Sequence, residues 1–302
     1  MQNIIAVIWD FDKTLIDGNM QDPIFEEYNI DKTEFWREVN ALPAKYAEEG
    51  IRVNGDTIYL NQFINETRKG TFKGLNNEKL RSFGQKQKYY PGVPDIFKNL
   101  KAVVENNPRY QEYNIKVEHY IVSTGMLAII KGSAVMPYVE AIWGCDFIED
   151  VDENQQKVIS EIGYTIDNTT KTRALFEINK GVPQRPDIDV NAKMSDAYRR
   201  VAFPNMIYIA DGPSDVPAFS VINKFGGRPL PSILRVNDTA FQQVNQLRED
   251  GRIDMYAEAD YREGTTAYMW LTHKVDEMAR RIYFAEKESL EGAISSAPKH
   301  LV

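Results

Sequence analysis

The apolar run NIIAVIW (3–9) stops on an aspartate and is followed two residues later by another, in Asp10-Phe11-Asp12-Lys13-Thr14. A short, β-branched run without polar interruption reads as a strand buried on both faces, the pattern of a central parallel strand. Three similar runs follow: HYIVS (119–123), MIYIA (206–210) and, more weakly, SILRV (232–236). Between them lie helical patterns at 92–105, 125–135 and 171–179. Strands alternating with helices predict a doubly wound parallel sheet, an α/β core covered on both faces.

Residues 18–90 have no comparable strand signal. Asp31 stands three residues before Glu34, close to a capping box, while Asp56 and Asn77 precede two further helical patterns. A helical insertion of about seventy residues is therefore expected directly after the first strand, its ends uncertain by ~2–4 residues. The segment 157–167 reads as a hairpin arm, 181–200 as a loop followed by a helix, and 264–288 as one long helix. In that long helix the aromatic and apolar spacing suits core packing. Frayed residues are expected at the C-terminal end, AISSAPKHLV (293–302).

Composition narrows the function classes. The net charge is −8 and no Lys/Arg-rich run stands out, so binding nucleic acid through a basic patch is not expected. No segment approaches the ~18 consecutive apolar residues of a membrane helix. The N-terminus lacks a basic region ahead of its short apolar run, so a cytoplasmic protein is expected. Cys145 is the single cysteine, which excludes an internal disulfide and a multi-cysteine zinc site. Its setting beside Trp143 and Phe147 suits a buried apolar thiol. His119, His273 and His300 stand apart from any metal-type cluster and read as structural or solvated.

The chemistry concentrates at strand ends, where ligands of doubly wound sheets bind. Asp10 and Asp12 can face one crevice there, and two close carboxylates favour a bound cation or a shared proton. Taken alone, the motif fits equally a turn in which Asp12 caps the chain and Asp10 pairs with Lys13. A second set stands after another apolar strand, in Asp211-Gly212-Pro213-Ser214-Asp215. Its carboxylates suit a hard cation such as Mg²⁺, and Asp215 can alternatively cap the following helix. Ser123, with Thr124 and Gly125 at a strand-to-helix junction, suits a phosphate oxygen, or serves as an ordinary N-cap. Lys171 opens a helix and offers an ammonium to a transferring phosphoryl group, although most lysines are merely solvated.

The four pieces in this order resemble the haloacid dehalogenase (HAD) superfamily: D-x-D-x-T after the first strand, a strand-ending Ser, a Lys before a helix, then D-G-x-x-D. The match spans roughly residues 4–225. The resemblance implies a Rossmann-like core formed by residues 1–17 and 91–302, with residues 18–90 as a helical cap of the first type. It also implies a Mg²⁺-dependent phosphatase acting through an aspartyl-phosphate. Asp10 would be nucleophile and Asp12 general acid/base. Ser123, Thr124 and Lys171 would bind phosphate, Lys171 also serving catalysis. Asp10, Asp12 (through its carbonyl), Asp211 and Asp215 would form the metal site. An acid at position 12 disfavours the dehalogenase branch, and the cap and the 157–167 arm are similar to phosphoserine phosphatases. Where those enzymes carry a Glu after the motif, this chain has Ile16-Asp17-Gly18-Asn19. The substrate is thus a small phosphate ester left open among phosphoserine, phosphoethanolamine or phosphocholine, sugar phosphates and nucleoside monophosphates. Rival readings are a phosphotransferase or mutase of the same fold, a non-catalytic phosphate-binding module and a phosphoacceptor signalling domain. The oligomeric state is not legible.

Overall fold

The computed structural model describes residues 2–233, 249, 251, 253 and 255–295. Strand β1 (Ile4–Trp9) is buried from Ile5 onward and lies at the middle of the sheet. The other strands are β2 (Lys116–Met126), β3 (Val139–Val151), β4 (Lys157–Tyr164), β5 (Met206–Ala210), β6 (Arg228–Ile233) and the two-residue β7 (Ala257–Glu258). Their order is β4-β3-β2-β1-β5-β6-β7 among the described residues. Every pairing is parallel except that of β3 with β4. The chain builds outward from β1 through β2 and β3, then returns to the other side of β1 with β5. A crevice therefore opens beyond the carboxyl ends of β1 and β5, at the switch point.

The helical insertion contains α1 (Asp22–Tyr28), α2 (Lys32–Glu48), α3 (Ile58–Arg68) and α4 (Asn77–Phe83). Its interior is aromatic. Phe63 stacks on Phe72 with centroids 4.9 Å apart, and Phe35 lies 4.9 Å from Phe25 and 5.0 Å from Phe63. Pairs of this kind contribute about 0.5–1.5 kcal/mol each beyond the area they bury. Around the sheet run α5 (Asp95–Glu105), α6 (Pro108–Glu112), α7 (Leu127–Lys131), α8 (Thr170–Lys180), α9 (Val216–Lys224) and the long α10 (Thr266–Ser295). Helices α5 and α10 pack on each other and on β2 and β1, whereas α8 and α9 pack on each other and on β2, β5 and β6. Buried Ala267, Leu271, Val275, Met278, Ala279 and Ile282 give α10 the apolar stripe expected of a core-packing helix.

Strand β3 was not legible as a strand. Its first half pairs with β2 and its second half, past Cys145, pairs with β4 to form an arm. The insertion rests on that arm. Ile159 N donates to Leu75 O at 2.9 Å, Arg68 Nη2 to Ser160 O at 2.8 Å and Asn77 Nδ2 to Phe147 O at 3.0 Å. Helix α4 also lies so close to the end of α7 that a Cβ at Gly132 would stand 1.8 Å from Arg81 O.

Several local expectations need correction. Asp31 caps α2, accepting from Thr33 N and Glu34 N, but Glu34 pairs with Arg37 instead of closing a capping box. The cap of α4 is Asn76, whose extended backbone and bond from Lys79 N leave Asn77 as the first helical residue. Asp56 does not cap α3; its Oδ2 accepts from Asn168 N at 3.2 Å. The helix expected at 125–135 shrinks to α7, because residues 125–126 still belong to β2. Residues 181–200 form turns and one 3-10 turn, Asp196–Tyr198, in place of a loop and helix. Strand β6 begins four residues before the expected run at 232–236, of which residues 234–236 lie outside the described residues. The end of the expected C-terminal fray, 296–302 including His300, also lies outside them, whereas α10 runs through Ser295.

Candidate active site

The motif loop is fixed by its own backbone. Asp10 N donates to Ile209 O at 2.8 Å, tying the residue after β1 to the end of β5. Lys13 then takes a left-handed conformation, with φ 54°, and turns the chain back toward Met20. Met20 N donates to Asp12 Oδ1 at 2.6 Å, and Met20 Sδ accepts from Met126 N at 3.0 Å. This methionine lies over Gly125, where a Cβ would stand 2.1 Å from its Cε and 3.1 Å from Asp12 Oδ2. Only a residue without a side chain leaves room there for both.

Lys171 is completely buried at the start of α8. Its Nζ donates to Asp10 Oδ1 at 3.1 Å and to Asp215 Oδ1 at 2.6 Å. The turn expectation for Asp10 is thereby replaced: its cationic partner is Lys171, 161 positions away, rather than Lys13. Asp215 occupies the N-cap of α9 but makes no side-chain capping bond there. Instead it accepts from Lys171, from Tyr208 OH at 2.5 Å and from Ser214 Oγ at 2.9 Å. Burying an acid this deeply is costly unless it is paired and hydrogen-bonded, and here it is both.

One carboxylate oxygen from each of Asp10, Asp211 and Asp215 lies within 4.8 Å of the others. The Asp12 carboxylate is outside this trio, held by Met20 N. Burial raises the Asp10 carboxyl well above its usual range; Lys171 opposes this, while Asp215, Asp211 and Asp12 add to it. Burial likewise pushes Asp12 up to about 7, against the Met20 N–H, and lifts Asp211 to about 6 with help from Asp215. For Lys171 burial disfavours the charge, but Asp10 and Asp215 outweigh it and hold the ammonium protonated. Lys171 bonds Asp10 and Asp215 while Lys13 acts on Asp12 and Asp211, so four crowded acids face two cations and their excess negative charge calls for bound protons or a metal ion. An all-oxygen trio with that charge fits a hard divalent ion, and the geometry offers no sulfur or imidazole donor in the trio.

Ser123 is buried within β2, and its Oγ accepts from Gly125 N at 3.0 Å. It is not an N-cap, since α7 begins four residues later with Met126 at its cap. Thr124 reaches the crevice, and its carbonyl accepts from Tyr59 OH at 2.8 Å and from Cys145 Sγ at 3.3 Å. Cys145 is buried as expected, and burial pushes its thiol up to about 11.

Above these groups is a cleft of about 330 Å³. Asp10, Asp12, Asp211 and Thr124 form part of its floor, and Trp36, Asn40, Asp56 and Tyr59 line it from the insertion. The motif reading picked out Asp10, Asp12, Thr124 and Asp211, which line the cleft, and Ser123, Lys171 and Asp215, which are buried and do not line it. It missed Tyr208, Met20 and the insertion wall. Tyr208 carried a faint signal, a hydroxyl inside the otherwise aliphatic run MIYIA, whereas the wall residues had none in sequence. The insertion's Arg52 and Arg68 do not line the cleft.

No protein-family model matches the chain. It is 36% identical over 287 residues to an uncharacterized protein of Borreliella burgdorferi (strain ATCC 35210 / DSM 4680 / CIP 102532 / B31), covering 91% of this chain and 97% of that one. Among solved structures it is similar to a HAD-family hydrolase from Salmonella enterica subsp. enterica serovar Typhi. That match has a TM-score of 0.51 and 15% identity, and covers 85% of this chain and 68% of the other. The shared fold is that of the HAD hydrolases.

Proposed function

The chain belongs to one family with the Borreliella burgdorferi protein and has the HAD fold, and on that premise we propose that it is a metal-dependent phosphatase of small phosphomonoesters. The observation that carries the reading is the buried Lys171 ammonium bridging Asp10 and Asp215 beside Asp211, at the switch point of the sheet. In this reading residues 1–17 and 91–302 form the catalytic core and residues 18–90 the cap. The lone buried thiol fits a reducing, cytoplasmic setting.

Asp10 attacks phosphorus through a carboxylate oxygen, forming an aspartyl-phosphate as the bond to the leaving oxygen breaks. Asp12, held by Met20 N, gives its proton to the leaving alcohol and then takes one from the water that attacks phosphorus. Inorganic phosphate departs and Asp10 is regenerated. Lys171 orients Asp10 and balances charge on the phosphoryl oxygens, and the Ser123–Thr124 segment contacts those oxygens. Asp10, Asp211, Asp215 and the Asp12 carbonyl would hold Mg²⁺, which would supply charge neutralisation for nucleophile and phosphate together. The test is phosphate release from an aryl phosphate with Mg²⁺. Asp10→Asn should lower the rate by more than ~10³ while its circular dichroism and melting remain native-like. A near-wild-type rate for a folded Asp10→Asn protein would end this mechanism.

A further inference from the structure

The wall that the insertion gives to the cleft differs in charge from what a second anion would need. Among the described residues lining the cleft, the cation is Lys13, which belongs to the motif loop on the floor. From the insertion come one carboxylate, Asp56, the rings of Trp36 and Tyr59, and the neutral Asn40. Asp56 is fixed in place: its backbone N donates to Asn54 Oδ1 at 2.9 Å, its Oδ2 accepts from Asn168 N at 3.2 Å, and Asn54 Nδ2 is anchored on Asp167 at 2.9 Å. It forms no ion pair with any described residue. Trp36 and Tyr59 stand with centroids 5.9 Å apart and planes inclined at 50°, and Tyr59 is held rigid through its bond to Thr124 O. Two inclined aromatic rings and an unpaired carboxylate on one cleft wall are the components with which proteins hold an alkylammonium group.

We propose that, given the phosphatase reading, this enzyme selects phosphomonoesters of ammonium-bearing alcohols, with Asp56, Trp36 and Tyr59 receiving the cationic end of the leaving group. The floor binds the phosphate that all phosphomonoesters share, so discrimination falls to the wall. There a positive leaving group gains Asp56 and the ring faces. A neutral one gains only packing, and a carboxylate or second phosphate meets Asp56 without a compensating cation.

A charge series tests this. With phosphocholine, its neutral isostere 3,3-dimethylbutyl phosphate and the anionic 3-phosphoglycerate, kcat/KM should fall at least tenfold at each step. Asp56→Asn should bring the first two within about threefold of each other, and Trp36→Leu should narrow the same gap. Free choline should bind by calorimetry at least tenfold more tightly than 3,3-dimethylbutan-1-ol, and Asp56→Asn should erase that preference. Equal or faster hydrolysis of the neutral isostere overturns the proposal, as does a ratio unchanged in both folded variants. If no ester, aryl phosphate included, releases phosphate, it is the phosphatase reading that fails. The choline measurement still judges the wall by itself: no preference over the neutral alcohol refutes it, a preference sensitive to Asp56 upholds it.

Discussion

His119 gives a quantitative test of the core on which the floor of the cleft is mounted. It sits in β2, fully buried between β1 and α5. Trp9 Nε1 donates to its Nδ1 at 3.2 Å, and its Nε2 lies 3.0 Å from Phe97 O. That arrangement requires a neutral ring with the proton on Nε2. Burial lowers its pKa from 6.5 to about 3, despite the Phe97 carbonyl and with a smaller push from Lys101. The unfolded chain therefore binds more protons than the folded one between those values. Stability from this group is complete above pH 6.5 and is lost as the pH falls toward 3. At pH 4.5 the unfolded ring is protonated by two pH units' worth of driving force, while the folded ring remains neutral, so the loss is on the order of 2–3 kcal/mol. His119→Gln carries no titrating ring and can keep a donor for Phe97 O. Urea unfolding of both proteins in chelator at pH 7.5 and pH 4.5 measures the effect. Asp10, Asp12 and Asp211 have raised values and shift stability in the opposite direction over this range, but they are common to both proteins and cancel in the comparison. The wild type should lose about 2–3 kcal/mol more than the variant on acidification. Equal losses would mean that the ring is hydrated or charged in the fold, and the reasoning would fail.

Chelation should abolish phosphate release, and Mg²⁺ should restore it while raising the melting temperature; full activity after dialysis against excess EDTA would refute the carboxylate trio as a metal site. Gly125→Ala should force Met20 off its seat, costing about 1–3 kcal/mol of stability and, because Met20 N holds Asp12, lowering kcat at least tenfold. Removing the obstructing side chain in Gly125→Ala/Met20→Ala should recover part of the stability measured in urea, and a Gly125→Ala protein with unchanged melting and kcat would show that the close approach is unimportant.

How far the fold was legible follows from where each residue sits. The runs at 3–9 and 206–210 announce themselves because both faces of β1 and β5 are buried, so every position must be apolar. Strand β3 hides for the opposite reason. Its arm half is partly exposed and carries Asp146, Glu149 and Asp150, which break any simple run. Asn76 and Asn77 are equally good capping residues, and only the backbone angles decide between them. The expected helix near 200 is displaced by tertiary commitments: Arg199 binds Asn179, and Arg200 binds Glu118 and Tyr120. For the site, strand-end acids were visible because topology places them. The burial of Lys171 and the inward hydroxyl of Tyr208 depend on contacts across 44 and 7 positions with Asp215, which no local pattern encodes.

Strand β3 also bears on how the cleft admits its contents. A lid joined to its base only by the two peptide crossings near Gly18 and Gly92 would swing like a trapdoor. Here the insertion is moored beyond those crossings, because the same strand that begins inside the sheet projects outward as the arm on which α3 and α4 are bonded. Any widening of the cleft bends β3 or shears the bonds at Leu75, Ser160 and Phe147, and it also strains those of Tyr59 to Thr124 and of Asp56 to Asn168. Severing the chain at both crossings would leave the insertion clamped by those bonds. Those added moorings, more than the looseness of two linkers, then limit how wide the mouth can open.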